Sequence, residues 1–323
     1  AGNRDLNKLR LLTELDENVL ALPPSHPSVF FPYWQRPKYV TTLSEYLERR
    51  KKAARNAKAA AATAEYGALD FVPKSWRATA ASRQDEVGNS SRDLNRAERL
   101  RWILRHTMGA PDAFENRRRE LGVLKAGAHG SVGPEREDVS DMDVFKSFQG
   151  SLQDGGIVRD YMEQTQLMLI LGDTLYVHGA IRDRNVGWVP PLPGSGSSTH
   201  PDDAFEWCRS LNEWQRRQMQ DWRVAGSNLT AQPFFKKWEE LGDDSAGTSS
   251  GQQLPRAHPM RLRAAGGLMD YGVPGGAEGK AIVHSTWLDA EHHPDPSALG
   301  SRRVGAMLRN AGIARVVSGH VPH

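Results

Sequence analysis

Residues 166–181, QLMLILGDTLYVHGAI, decide how the chain is read. Two runs rich in branched and aromatic apolar residues flank Gly172 and Asp173, a two-residue turn signal. The passage therefore reads as a β-hairpin whose second strand ends on His178 and Gly179. A histidine delivered beside a glycine at a strand end is well placed for chemistry, because sheets present reacting groups on the loops that leave them and glycine permits close backbone approach.

Downstream of the hairpin, AIVHSTW (281–287) reads as a strand and ALGSRRVGAMLRNAG (298–312) as a helix closed by Gly312. IARVVSGH (313–320) reads as a buried strand running into a loop at His320, and strand, helix and strand in this order predict an α/β layer. A Trp-rich helix is predicted over 203–222, with Trp207, Leu211 and Trp214 at core spacing. Upstream, helices are predicted over 139–148 and 158–166. At the start of the chain Leu6, Leu9, Leu12 and Leu15 recur at helical spacing with Asp5 able to cap the helix, which puts Asn3 in a loop just ahead of it.

Between these parts the text changes character. Residues 21–40 are rich in proline and aromatics and read as a loop packed by Phe30, Phe31, Tyr33 and Trp34. Residues 43–66 have high helix propensity and almost no apolar stripe after Leu47, so a solvated basic helix is expected. Residues 94–121 read as two helices broken at 109–111, residues 126–134 as low-complexity text, and 242–253 as a polar linker. A long, mostly helical insertion over 41–135 within one domain spanning 1–323 is the resulting expectation.

Composition limits the function classes. The 323 residues are 38% hydrophobic, enough for a substantial core, and 42 Lys and Arg against 39 Asp and Glu leave a formal net charge of only +3. Such a balance argues against a global nucleic-acid-binding field. The single cysteine, Cys208, excludes an intramolecular disulfide framework and a multi-cysteine zinc site, in keeping with a reducing, cytoplasmic setting. No run reaches the roughly 20 apolar residues of a membrane-spanning helix, and no membrane partner is expected. Neither a GxSxG nucleophile elbow nor a GxxxxGK[ST] phosphate loop occurs.

Three short pieces share one grammar, a metal-ligand residue type beside a glycine: GNRD at Gly2 to Asp5, VHG at Val177 to Gly179, and GH at Gly319 and His320. Amide oxygen and imidazole nitrogen suit zinc, manganese or iron. Each piece alone is weak. Their order, with the fuller motifs LYVHGAI and VVSGHVPH, resembles the second half of the calcineurin-like metallophosphoesterases, the superfamily of the Ser/Thr phosphatases and diadenosine polyphosphate hydrolases.

The resemblance implies a metallophosphoesterase-type layered β-sandwich flanked by helices. It also implies hydrolysis of a phosphate ester or anhydride at a centre of two divalent ions (Mn, Fe or Zn). Asn3, His178 and His320 would be ligands of the second ion, with Arg4 and Asp5 orienting the phosphate or a ligand, and Arg182 and His323 as further substrate contacts. The partner would be a phosphorylated protein, nucleotide or small molecule.

Two departures matter. Arg4 stands where the family carries a His that assists the leaving group; with a pKa above about 12 an arginine cannot donate that proton, though it can grip a phosphate by two parallel hydrogen bonds. The family's opening GDxHG and GDxxDRG motifs are missing, so the chain is expected to be a fragment entered at the third motif, with half of the two-ion site and weak or no activity. Two other readings stay open: an impaired phosphoesterase-like interaction module, and an RNA-associated protein acting through residues 49–58.

Overall fold

The computed structural model describes residues 1–21, 23–24, 41–64, 91–128, 139–192, 196–226, 265–273, 275–289, 291, 293–295 and 300–320. Residues 25–40, 129–134 and 242–253, discussed above, and His323 lie outside the described residues. The fold is mixed α/β, with many helices and, among the described residues, one three-stranded sheet. No helix of the described residues is long and apolar enough to cross a membrane.

Backbone contacts divide the chain into two compact units where one domain was expected. One is assembled from Ala1–Thr13 and Ser151–His323, and the other is the segment between them, Glu14–Gly150. The intervening unit is thus wider than the insertion read over 41–135. The physical reason is that it has apolar residues to bury on both sides of the basic helix: Val19, Leu43, Leu100, Phe114, Val144 and Phe145 are all excluded from solvent.

In the first unit the hairpin forms as read. Strand β1 (Met168–Leu171) pairs antiparallel with β2 (Thr174–Val177), and Gly172 takes the positive φ of 58° that the tight turn requires. Strand β3 (Arg315–Val317) pairs parallel to β2 with Tyr176 opposite Val317, so the two strands end at the same edge of the sheet. The expectation that β3 is buried needs correction: it is an edge strand with Arg315 and Val317 exposed. The Ala204–Gly226 helix packs on β1 and ties it down through Asn212, whose Oδ1 accepts from the Leu167 and Met168 N–H groups at 3.0 and 3.2 Å. Leu169, Tyr176 and Val317 stand in register across the three strands and are exposed.

The tryptophans of the Ala204–Gly226 helix form the centre of this unit. Trp207, Trp214 and Trp222 are buried; Trp207 donates to the Trp188 carbonyl at 3.0 Å and Trp222 to that of Leu9 at 3.1 Å. Tyr271 is wholly buried, stacked on Trp188 at 6.3 Å and tilted against Trp214 at 5.3 Å. Its hydroxyl accepts a 3.1 Å hydrogen bond from the Ile282 N–H. That bond belongs to a second correction. Residues read as a strand over 281–287 instead contain a 3-10 turn, Ile282–His284, because both Ile282 and Val283 are buried and the Ile282 N–H is taken by Tyr271 rather than by a sheet partner.

In the second unit, the helices Leu43–Ala64 and Ser91–Trp102 meet over a charged network. Buried Glu98 accepts from the Tyr46 hydroxyl at 2.9 Å and from Arg50 at 3.0 and 2.8 Å. Arg101 bridges Glu98 at 2.8 Å to Asp141 at 2.7 and 2.6 Å, lies over the Phe114 ring, and is joined at Asp141 by Arg118. Burial pushes the Glu98 and Asp141 carboxyls toward protonation, but the hydrogen bonds and charges of Arg50, Arg101 and Arg118 outweigh it and hold both below the ordinary carboxylate range.

A carboxylate whose folded pKa is depressed stabilises the fold above its unfolded value, and that stability is lost as pH falls through the folded value. The second unit is therefore expected to lose stability below about pH 4, near the unfolded carboxylate pKa. Hydrogen exchange of the Ser91–Trp102 amides between pH 6 and 3 measures this. Unchanged protection over that range would refute it.

Candidate metal centre

The sequence folds three of the predicted site residues into one cluster by simple means. Strands β2 and β3 run the same way, so the residues just past their ends emerge side by side, and the Gly319 N–H donates to the His178 carbonyl at 2.9 Å. That bond sets His320 beside His178. The backbone at His320 has φ 73°, in the left-handed region that histidine seldom occupies, a local strain of the kind that gathers at working sites.

Asn3 arrives from the start of the chain. It is the first residue of the Asn3–Lys8 helix rather than part of a loop ahead of it, because Gly2 takes the N-cap position and Asp5 closes the turn by accepting from the Gly2 N–H at 2.9 Å. Gly2 lies against the His178 ring; a Cβ at this position would stand 2.6 Å from Nδ1 and Cε1. Glycine is needed here for space, since its φ of −104° suits any residue.

The resulting geometry is tight. Nε2 of His178 lies 3.0 Å from Oδ1 of Asn3 and 3.3 Å from Nδ1 of His320, across sequence separations of 175 and 142 residues. His178 and His320 meet edge to face at 5.2 Å between ring centres, and His320 meets His284 in the same way at 5.0 Å.

Electrostatics keeps these rings neutral. Burial lowers the proton affinity of His178, with Asp5 opposing and Arg4 and His284 assisting. His320 is pushed down to about 4, first by burial and then by His284, His178 and Arg4. His284 is lowered by burial and by Arg184, against the effect of a hydrogen bond to its own backbone carbonyl. Near neutral pH the rings therefore hold lone pairs rather than extra protons, the form in which imidazole binds a metal.

The other predicted residues fall in different places. Arg4 is exposed, makes no ion pair among the described residues, and is near enough to depress His178 and His320. Asp5 is committed to the turn: besides Gly2 it accepts from Lys8 at 2.8 Å and from the Tyr161 hydroxyl at 3.3 Å. Burial raises its pKa, and the Lys8 and Gly2 hydrogen bonds more than reverse this. Arg182 is not a solvated loop arginine. Its guanidinium donates to the Thr286 carbonyl at 2.7 Å, to Asp295 at 2.6 Å and to the Leu288 carbonyl at 3.2 Å, so three of its five donors hold neighbouring loop residues.

Two residues that the motifs did not pick out support the cluster. His284 enters because Gly179 lets its chain press on the 282–285 turn, where the Ala180 N–H donates to the Ser285 carbonyl at 3.0 Å. Tyr271 holds that turn from the other side. The sequence signal for His284 was only a histidine inside an apolar run.

Whether the cluster suits an ion can be tested on its spacing. Ligands placed tetrahedrally about 2.0–2.1 Å from zinc stand about 3.3–3.4 Å from one another. The 3.0 and 3.3 Å donor separations at His178 come close to this, so Asn3 and His320 each fit beside His178 as a neighbouring ligand. Among the described residues no three His, Cys, Asp or Glu side chains form a closed ligand set as they stand, and the triad depends on the Asn3 amide.

An open cavity of about 580 Å³ borders the cluster at Gly2, His178 and Gly319, with Asp5, Tyr161 and Tyr176 along its walls. A hollow of about 750 Å³ beside His200 and Asp203 shares no residue with the cluster. Comparison of the chain with protein-family models, with curated proteins and with solved structures gave no match, so the cluster is interpreted from its own geometry and chemistry.

Proposed function

We propose that the chain carries the metal-binding half of a calcineurin-like phosphoesterase site and acts in the hydrolysis of a phosphate ester or anhydride. The observation that carries this reading is that Asn3 and His320, 175 and 142 residues away in sequence, both meet Nε2 of His178. A sandwich architecture is part of the proposal. The exposed row Leu169, Tyr176 and Val317 supports it, as an apolar sheet face suited to a second layer.

In this reading Asn3, His178 and His320 hold a divalent ion, which would supply positive charge to the phosphoryl oxygens and acidify a water molecule. The chain's own residues do the rest. Gly2 leaves room for the His178 ring, Asp5 holds the turn that aims Asn3, and the neutral imidazoles keep their lone pairs available. Arg4, exposed and free of ion pairs among the described residues, grips the phosphate in bidentate fashion. Arg4 cannot protonate a leaving group, so turnover favours substrates with acidic leaving groups.

The test is a hydrolysis assay with p-nitrophenyl phosphate and bis(p-nitrophenyl) phosphate, with Mn²⁺, Co²⁺ or Zn²⁺ added. Metal-dependent release of p-nitrophenol, abolished by chelation and by His178→Ala, is expected. No release, together with no binding of inorganic phosphate to the metal-loaded chain, would overturn the hydrolase reading in favour of an interaction module.

A further inference from the structure

We infer that His284 is a fourth protein donor to the ion held by Asn3, His178 and His320, so that this chain by itself forms a complete single-ion site. The inference rests on the reading of the cluster as a metal centre and goes beyond it. A three-donor site would depend on further ligands from elsewhere, whereas one amide oxygen and three imidazoles make a full protein ligand set, with a fifth position left for water or phosphate.

The placement of His284 is built rather than incidental. Its 3-10 turn is gripped on one side by the Tyr271 hydroxyl at 3.1 Å from the Ile282 N–H, and on the other by the Ala180 N–H at 3.0 Å from the Ser285 carbonyl. Gly179 leaves no room for a side chain between the two segments, with the Ile282 carbonyl 2.1 Å from where a Cβ would stand. These contacts fix the backbone of residue 284 beside the loops carrying His178 and His320. Its ring already meets the His320 ring, at 5.0 Å between centres.

The three imidazoles do not surround a common point as they stand, so closure requires the His284 side chain to turn toward Asn3 and His178. Rotation about side-chain bonds on ligand binding is ordinary, and the fixed backbone leaves the side chain as the part that moves.

Four neutral donors have a chemical consequence. They leave the ion's double positive charge uncompensated, which favours an anionic ligand such as phosphate. A nitrogen-rich set also selects cobalt, nickel or zinc over magnesium and manganese, which prefer carboxylate and water.

The experiment is a titration of the chain with Co²⁺, followed by visible absorption and calorimetry. One Co²⁺ per chain with the visible bands of four- or five-coordination is expected, and Mn²⁺ should compete poorly. His284→Ala should weaken binding by at least about tenfold, since loss of a residue that merely supports a ligand costs about 10–100-fold. It should also weaken the bands, while His200→Ala, at an exposed histidine outside the cluster, leaves both unchanged. Ring ¹⁵N shifts of His284 in the parent on addition of Zn²⁺ read its coordination without any substitution. A His284→Ala chain that binds Co²⁺ with the parent's affinity and spectrum, or an unshifted His284 ring in the Zn²⁺-loaded parent, overturns the inference and leaves the three-donor reading standing. A parent chain that binds no Co²⁺ overturns both.

Discussion

Gly179→Ala is expected to destabilise the sheet-bearing unit by about 3 kcal/mol, the upper part of the range for overpacking, and to abolish the Co²⁺ binding proposed above. The added methyl would stand 2.1 Å from the Ile282 carbonyl oxygen and 2.5 Å from that of Ser285. Both are backbone atoms without a rotamer to adopt, so the two segments must part. Parting them breaks the Ala180–Ser285 hydrogen bond and removes the turn that carries His284 from the loop that carries His178. Denaturant unfolding and Co²⁺ titration of the variant give the two readings. Gly150→Ala is the matched control: in the Asp141–Ser151 helix, with nothing within 4 Å of its added methyl, it should stabilise by about 0.5–1 kcal/mol. A Gly179→Ala chain with the parent's midpoint and metal affinity would show that the close approach is not needed.

Arg101→Ala is expected to cost the second unit about 2–3 kcal/mol, because it removes charge-assisted hydrogen bonds to Glu98 and to part-buried Asp141, each of which keeps another partner. Arg101 is the only group that joins Glu98 to Asp141 through described contacts, with bonds of 2.8, 2.7 and 2.6 Å. Without it Glu98 retains Arg50 and Tyr46, and Asp141 retains Arg118, but the link between the helix Ser91–Trp102 and the helix Asp141–Ser151 is gone. Replacing the pair together, Arg101→Met with Asp141→Leu, should recover much of the loss, since a buried ion pair exchanged for apolar residues of similar volume is often neutral. Protection of the helix amides against hydrogen exchange is the measurement. A loss below about 1 kcal/mol in the single variant would place the network among surface ion pairs, whose worth is of that order.

Local regularity made parts of the fold legible. The Gly172–Asp173 hairpin follows from two short apolar runs and a turn that only a left-handed residue closes. The Ala204–Gly226 helix follows from tryptophans at helical spacing, and the Arg302–Asn310 helix from Ser301 at its cap and Gly312 beyond its end. Asn3, His178 and His320 were legible as candidates because each stands beside a glycine in a short motif. His284 was not. An apolar run with a single polar interruption looks the same whether it becomes a strand or a buried 3-10 turn, and Tyr271, eleven residues away, made the difference by taking the Ile282 N–H. The partners of Arg182 were not legible for a similar reason: nothing beside it in sequence announces Thr286, Leu288 and Asp295.

Sequence alone determined the hairpin and the longer helices, because those preferences act between residues a few positions apart, and it named amide and imidazole groups able to hold an ion. Tertiary structure alone decided that these groups meet. Parallel pairing of β2 with β3 places His178 and His320 at one sheet edge, the space left by Gly2 admits Asn3, and the close approach at Gly179 brings in His284. Each of these depends on packing between segments more than 100 residues apart, a distance over which no local pattern carries information.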